Sequence, residues 1–174
     1  MKKAQKKGIN MKINYQKLIY CFAMTFAAMF IGAYYNDFGM EKWYHSISQP
    51  EATPPDIVFP IVWGILYALM ATSFYLAFVT EDKKAQNQKI NNLFIGLLFL
   101  HIVWTYCFFY MGYIGLAFGI LLFIDFLSYY ILMLFWSIHK TAAWLFVPYF
   151  LWILFATYLN AAFINLNSYI IAVE

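Results

Sequence analysis

Five separate runs of apolar residues, each about as long as a bilayer is thick, leave this chain very few possible folds. They extend approximately from Leu18 to Tyr35, Ile57 to Val79, Leu93 to Tyr110, Leu116 to Trp136 and Ala143 to Phe163. A helix rising about 1.5 Å per residue needs roughly 20 such residues to cross a hydrocarbon core about 30 Å thick. Membrane-spanning barrels instead alternate polarity in segments of about ten residues, a pattern these unbroken runs do not show. The expected fold class is therefore an all-α integral membrane protein, a five-transmembrane-helix bundle. A hydrophobic content of 64% with only 11% charged residues excludes an ordinary water-soluble domain. With five spans in 174 residues, no length is left for an appended catalytic domain.

The eleven basic residues are all lysines, and they are unevenly shared between the two sides that five spans define. Lys2, Lys3, Lys6, Lys7, Lys12, Lys17, Lys83, Lys84, Lys89 and Lys140 fall on one side, and Lys42 alone on the other. Cytoplasmic loops carry the lysine excess, which places the N-terminus in the cytoplasm and the C-terminus outside. The expected organisation is a Lys-rich cytoplasmic tail over 1–17, a membrane domain over 18–167 and a short tail over 168–174. The Lys, Asn, Ile, Phe and Tyr bias without arginine suggests a bacterial cell membrane. The basic start followed by an apolar run has the outline of a signal peptide, but it lacks a small-x-small cleavage site and four further spans follow it.

The loop from Asn36 to Asp56 lies on the lysine-poor side and holds Trp43, Tyr44, Pro50, Pro54 and Pro55. Proline restricts its backbone, and two large rings are costly to leave in water, so an extended first loop acting as a lid is expected. Cys21 and Cys107 both fall inside apolar runs, which makes neither a disulfide nor a thiolate metal site. His45, His101 and His139 are far apart and not at metal-ligand spacing, so no metal is expected. Phosphate-cradling glycine loops and nucleophile elbows are missing, and no basic face alternates with aromatics, which argues against nucleic acid as a partner. The expected partner of the exposed helix faces is the lipid bilayer.

What remains is an aromatic surplus: 19 Phe, 15 Tyr and 6 Trp are more rings than five helices need to dissolve in lipid. Trp63 and Tyr67 are four apart and share a face. His101, Trp104, Thr105 and Phe108 follow the i, i+3, i+4, i+7 pattern of a single stripe. Tyr149, Trp152, Ala156, Leu159 and Asn160 occupy adjoining turns after Pro148. Trp-bearing and polar faces turn away from lipid. If these three faces converge, they enclose a flat apolar pocket with a few polar handles, as small-molecule sites do; if they merely pack, they are an ordinary helix interface. Asp125 is the one charge within a span and must face inward, pair or stay protonated.

In these residues the chain resembles the TspO/translocator protein family, also called the peripheral benzodiazepine receptor (TspO/MBR) family. The resemblance runs through Trp43-Tyr44, Pro50, Pro54-Pro55, Phe59, Val62-Trp63-Gly64, Leu66-Tyr67 and Trp104. It is densest over Pro148-Tyr149, Trp152, Phe155-Ala156, Leu159-Asn160 and Leu166-Asn167, and it covers all but the first span and the termini. It implies a five-helix membrane protein, commonly a homodimer, that binds porphyrins such as protoporphyrin IX or haem, and other flat hydrophobic ligands, beneath the first-loop lid. By similarity Trp63, Tyr67, Trp104, Trp152, Ala156, Leu159 and Asn160 would bind ligand, and Tyr44 of the first loop with His101, Thr105 and Phe108 of the third-span stripe complete the expected ligand-binding set. The resemblance further implies light-dependent porphyrin degradation involving Trp63 and Trp152, whether or not that amounts to turnover, and it implies no required cofactor.

The chain departs from the family pattern in several places. Ala52 stands where the family has a loop tryptophan and Gln49 where it has a lysine; His101 replaces an asparagine and Thr105 a serine. Ile120 occupies the place of an acidic residue, with Asp125 five positions on. No basic residue follows the fifth span, so sterol binding is not expected. Two other roles stand beside the receptor: a transporter of hydrophobic metabolites, against which the lack of internal repeats argues, and a ligand-sensing subunit whose Gly115 and Gly119 suit close helix contact.

Overall fold

The computed structural model describes residues 13–80 and 83–168. The lysines at 2, 3, 6, 7 and 12, the Glu81–Asp82 pair and the tail from residue 169 lie outside the described residues. Five long helices follow one another: α1 (Tyr15–Lys42), α2 (Val58–Thr80), α3 (Lys84–Thr105, continued by a π-helical turn over Tyr106–Tyr110), α4 (Ile114–Ile138) and α5 (Lys140–Leu166). All five are long and apolar enough to cross a membrane, and there is no strand among the described residues. The chain is an integral membrane protein.

Every helix but α2, which matches its run to within one residue at each end, outlasts its apolar run. The Asn14 side chain caps α1 by accepting from the Lys17 amide at 3.0 Å. The helix then continues through Asn36 and Asp37 to Lys42, so the loop expected from residue 36 starts only at Trp43. Polarity at residues 36–37 marks the exit from lipid, whereas Asn and Asp inside a helix cost well under about 1 kcal/mol each. The spacer expected between the last two spans shrinks to His139, whose Nδ1 accepts from the Ala142 amide and caps α5. Gly112 turns the chain from α3 into α4 at φ +72°, a left-handed conformation that a side chain would strain.

Around the bundle α1 packs on α2 and α3, α2 on α5, α5 on α4, and α4 on α3, closing a ring. One half of it is solid. Phe74, Phe94, Phe135 and Phe146 are fully buried there, with the Phe74 ring 4.5 Å from Phe94 and 4.9 Å from Phe135. Lys17, Lys83, Lys84, Lys89 and Lys140 all belong to this end, and Lys42 to the other. Phe123, Phe126, Tyr129, Met133 and Leu151 are exposed large apolar residues of the kind lipid covers.

The position of α1 shapes the other half. Near its start it is tied to the end of α2: the Asn14 amide donates to the Tyr75 hydroxyl at 3.2 Å and Lys17 Nζ to the Phe78 carbonyl at 2.6 Å. Toward its end it lies on α3 and the π turn. A Cβ added at Gly32 would stand 3.5 Å from Thr105 Oγ1, Gly39 sits directly on the Phe109 backbone, and the Tyr35 ring is 5.1 Å from Tyr106. The end of α1 thus leans on α3, and a wedge opens between it and the beginning of α2.

Candidate functional site

That wedge is a cavity of about 460 Å3, within the range of sites that take a drug-sized molecule. Its walls come from α1 (Met29, Gly32, Asn36, Met40), α2 (Phe59, Trp63, Tyr67), α3 (His101, Trp104, Thr105) with Phe109 of the π turn, and α5 (Trp152, Phe155, Ala156, Leu159), while Tyr44 and Asp56 reach it from the first loop. Phe30, Ala33 and Pro60 also line it and are exposed, so it communicates with the surroundings of the bundle.

Trp63 is the hub of the aromatic wall. Its ring centroid lies 5.5 Å from Tyr67, 5.4 Å from His101, 6.5 Å from Trp104 and 6.5 Å from Trp152, the last at an interplanar angle of 89°. Such tilted and edge-on arrangements leave ring faces available to a further flat partner. Behind the wall, His101 Nε2 and the Tyr149 hydroxyl are 2.7 Å apart, and the same hydroxyl lies 3.3 Å from Ser128 Oγ. This buried chain joins α3, α5 and α4 and fixes the imidazole. Thr105 donates its hydroxyl to the His101 carbonyl at 2.8 Å, within its own helix. Trp104 differs: its indole N–H is buried and has no acceptor.

The first loop is fastened at both ends of the site. Trp43 Nε1 donates to the Phe109 carbonyl at 2.7 Å. Asn167 Oδ1 accepts from the Ser48 amide at 2.9 Å while its Nδ2 donates to the Ser48 carbonyl at 3.0 Å. Between these anchors Tyr44 is 4% exposed, and burial, with the Asp56 charge adding to it, pushes its phenol up to about 12. Gln49, one of the departures from the family pattern, turns back to donate to the Tyr44 carbonyl at 2.6 Å. Ala52 borders a separate open groove with Tyr158, Ala162 and Asn165.

Of the residues expected to bind ligand, Tyr44, Trp63, Tyr67, His101, Trp104, Thr105, Trp152, Ala156 and Leu159 stand together around the cavity. Phe108 and Asn160 do not. Phe108 is buried behind the wall, its ring 5.7 Å from Trp43 and 5.7 Å from Phe163. The expected i+7 stripe assumes an unbroken α-helix, but the π turn, in which the Met111 amide bonds back to the Tyr106 carbonyl, delays the rotation and brings Phe109 to the cavity instead. Asn160 faces α4, donating through Nδ2 to the Ile114 carbonyl at 2.9 Å. Asp125 is half-buried and accepts from the Thr157 hydroxyl at 2.8 Å, a pairing between α4 and α5 away from the cavity.

The sequence reading missed the contribution of α1. Met29, Gly32, Ala33, Asn36 and Met40 recur at the three- and four-residue spacing of one helix face, and that signal was available. The acidic side chains on the cavity wall are Asp37 and Asp56, and no lysine lines it. Among the described residues no cluster of His, Cys, Asp and Glu could hold a metal ion.

The TspO/MBR family profile matches residues 21–166, which takes in most of every helix just described. The chain is 32% identical to the "Tryptophan-rich protein TspO" of Chlorobaculum tepidum over 86% of its own length and 95% of that protein's. It is 28% identical to the "Tryptophan-rich sensory protein" of Cereibacter sphaeroides, over 73% and 78%, and 30% identical to the "Translocator protein" of Ovis aries, over 68% and 71%. A match across the four cavity-forming helices, together with relatives at this level of identity, makes the chain a member of the TspO/MBR family.

Proposed function

We propose that this protein is a membrane receptor that takes up flat, hydrophobic, porphyrin-type molecules into the cavity beneath the first loop. One observation carries the reading: Trp63, Trp104 and Trp152, from three different helices, meet around one cavity of about 460 Å3 instead of facing lipid. Tilted indoles suit a planar conjugated ligand, which gains about 0.5–1.5 kcal/mol per ring contact beyond the area it buries. The anchored loop serves as the lid, and the lysine distribution supports a position for that lid on the outer side of the membrane. Light-dependent degradation of a bound porphyrin is an extension of the same reading, because Trp63 and Trp152 are the rings such a ligand would touch.

The test is a titration of the purified protein with protoporphyrin IX, read by tryptophan quenching, followed by illumination of the complex. Saturable quenching near one ligand per chain is expected, weakened in the Trp63→Phe, Trp152→Phe double variant, which also slows the loss of porphyrin fluorescence under light. Quenching that stays linear with added porphyrin would reduce the interaction to partition into detergent and overturn the reading. Unchanged fluorescence loss in the double variant would remove the degradation role alone.

A further inference from the structure

The charges at the mouth of the cavity say what kind of rim its ligand carries. Asp37 and Asp56 line the cavity and are exposed, and no lysine lines it. Lys42 is the nearest basic residue in sequence. It lies about 140° around α1 from Asp37 at 3.6 residues per turn, and its ammonium stands 5.7 Å over the Phe38 ring, outside the cavity lining. His101 is the imidazole in the wall, 2% exposed and engaged by Tyr149. The other imidazole near the mouth, His45, has Nε2 3.6 Å from Asp56 Oδ2.

A planar amphiphile entering this wedge puts its apolar body among the indoles and leaves its polar substituents at the wet mouth, because burying a charge without a partner is costly. Those substituents then stand beside two carboxylates. Free carboxylates on the ligand meet like charge, uncharged groups meet none, and ammonium groups meet two counter-ions. The wall supplies a second, independent feature: Trp104, nine-tenths buried, has an indole N–H without an acceptor, which an acceptor atom on the ligand body would satisfy.

From this arrangement we infer that the site selects flat aromatic ligands with an uncharged or basic rim over those with a carboxylate rim, Asp37 and Asp56 being the specificity-determining residues. The inference rests on the cavity being a ligand site, as proposed above, and it deepens that reading by naming the ligand's charge class. A porphyrin would accordingly bind better with its propionates esterified than free.

The experiment uses three probes of one shape, 1-pyrenebutylamine, 1-pyrenebutanol and 1-pyrenebutyrate, together with protoporphyrin IX and its dimethyl ester. Each is titrated against the full chain in uncharged detergent by energy transfer from tryptophan. The affinity order amine, alcohol, acid is expected, with steps of about three- to tenfold at low salt that shrink as salt rises. The Asp37→Asn, Asp56→Asn double variant should bring the three pyrenes together. Both aspartates are exposed, so an unchanged thermal melt confirms that the variant folds. Equal pyrene affinities, or an order that survives intact in the double variant, overturns the inference. If neither porphyrin binds while the pyrene order holds, the porphyrin reading falls and the charge selection stands; if the ester binds and the pyrenes do not differ, the reverse is true.

Discussion

Substituting Gly39 by alanine tests whether the lean of α1 onto α3 builds the cavity. A Cβ at this position would stand 2.7 Å from both the carbonyl carbon and the Cβ of Phe109, and closer still to the Phe109 carbonyl oxygen. Carbon atoms rest about 3.5–4.0 Å apart, so α1 must retreat by about 1 Å. The obstacle is backbone of the π turn, which cannot swing aside as a flexible side chain does. Overpacking of this kind costs about 1–3 kcal/mol, and retreat also strains the bond from Trp43 Nε1 to the same Phe109 carbonyl, worth about 1 kcal/mol. Against this stands the better helix propensity of alanine, about 1 kcal/mol. The net loss is about 1–3 kcal/mol, a fall in melting temperature of about 2–12 °C for a chain of this length. Gly64→Ala and Gly96→Ala are the controls, because a Cβ at either meets nothing within 4 Å and should leave the melt unchanged or raise it. The assay is intrinsic tryptophan fluorescence during heating in detergent, paired with the porphyrin titration, whose affinity should weaken as the α1 wall shifts. If Gly39→Ala melts with the two controls, α1 does not rest on the π turn and the derivation of the cavity fails.

Two other perturbations have definite expected outcomes. Tyr149→Phe removes the hydroxyl shared by His101 Nε2 and Ser128 Oγ, both buried, and should destabilise by about 2–4 kcal/mol with little change in the cavity outline; a melt within 1 °C of the parent would show that the two groups find other partners. Tyr44, held up at about 12, keeps its proton in the folded chain where an unfolded chain with the ordinary value of 10.0 has lost it. Its contribution to stability is therefore complete below about pH 10 and falls away as pH rises toward 12. Comparing the alkaline melting curves of the parent and Tyr44→Phe should show a shallower decline in the variant, and parallel curves would place the phenol in water.

The spans were legible because lipid imposes one requirement on every residue of a run, so Leu93 to Tyr110 or Leu116 to Trp136 identify themselves by hydropathy. Helix ends were not, because hydropathy reports where the chain leaves lipid and says nothing of hydrogen bonding. Asn36 and Asp37 remain helical for that reason, and α3 begins at Lys84, well before its apolar run. Within the site, Trp63, Trp104 and Trp152 could be read early, since a large ring with a polar edge has few stable positions in a bundle. The exchange of Phe109 for Phe108 was hidden, because a π turn is decided by how α3 meets Gly39 and Trp43, residues far away in sequence. The share of α1 was legible in the spacing of Met29, Gly32, Ala33, Asn36 and Met40 but easily passed over, because Gly32 and Ala33 carry no chemistry of their own and act through how closely they let α3 and a ligand approach.

The two halves of the bundle differ in the kind of ring they hold, and that difference accounts for a hollow in one of them. Phe74, Phe94, Phe135 and Phe146 have no polar atoms and close-pack wherever shape allows. Trp63, Tyr67, His101, Trp104 and Trp152 carry N–H or O–H edges that are costly to seal among apolar atoms, as the acceptor-less Trp104 N–H would be, which disfavours their collapse on one another. A sealed void of about 460 Å3 would cost on the order of 11 kcal/mol at about 24 cal/mol per Å3, as much as the entire stability of a typical domain. The exposed rim of Phe30, Ala33 and Pro60 removes that difficulty, because an open wedge is filled by whatever surrounds the bundle. On the proposed reading, ligand uptake would be an exchange: a flat molecule would displace the molecules that wet the wedge, with an affinity set by how much better its faces and rim suit the indoles and the two aspartates than theirs do. The same exchange predicts that Gly39→Ala weakens binding although Gly39 does not line the cavity, since the contact Gly39 permits with Phe109 sets the width of the wedge in which the competition would take place.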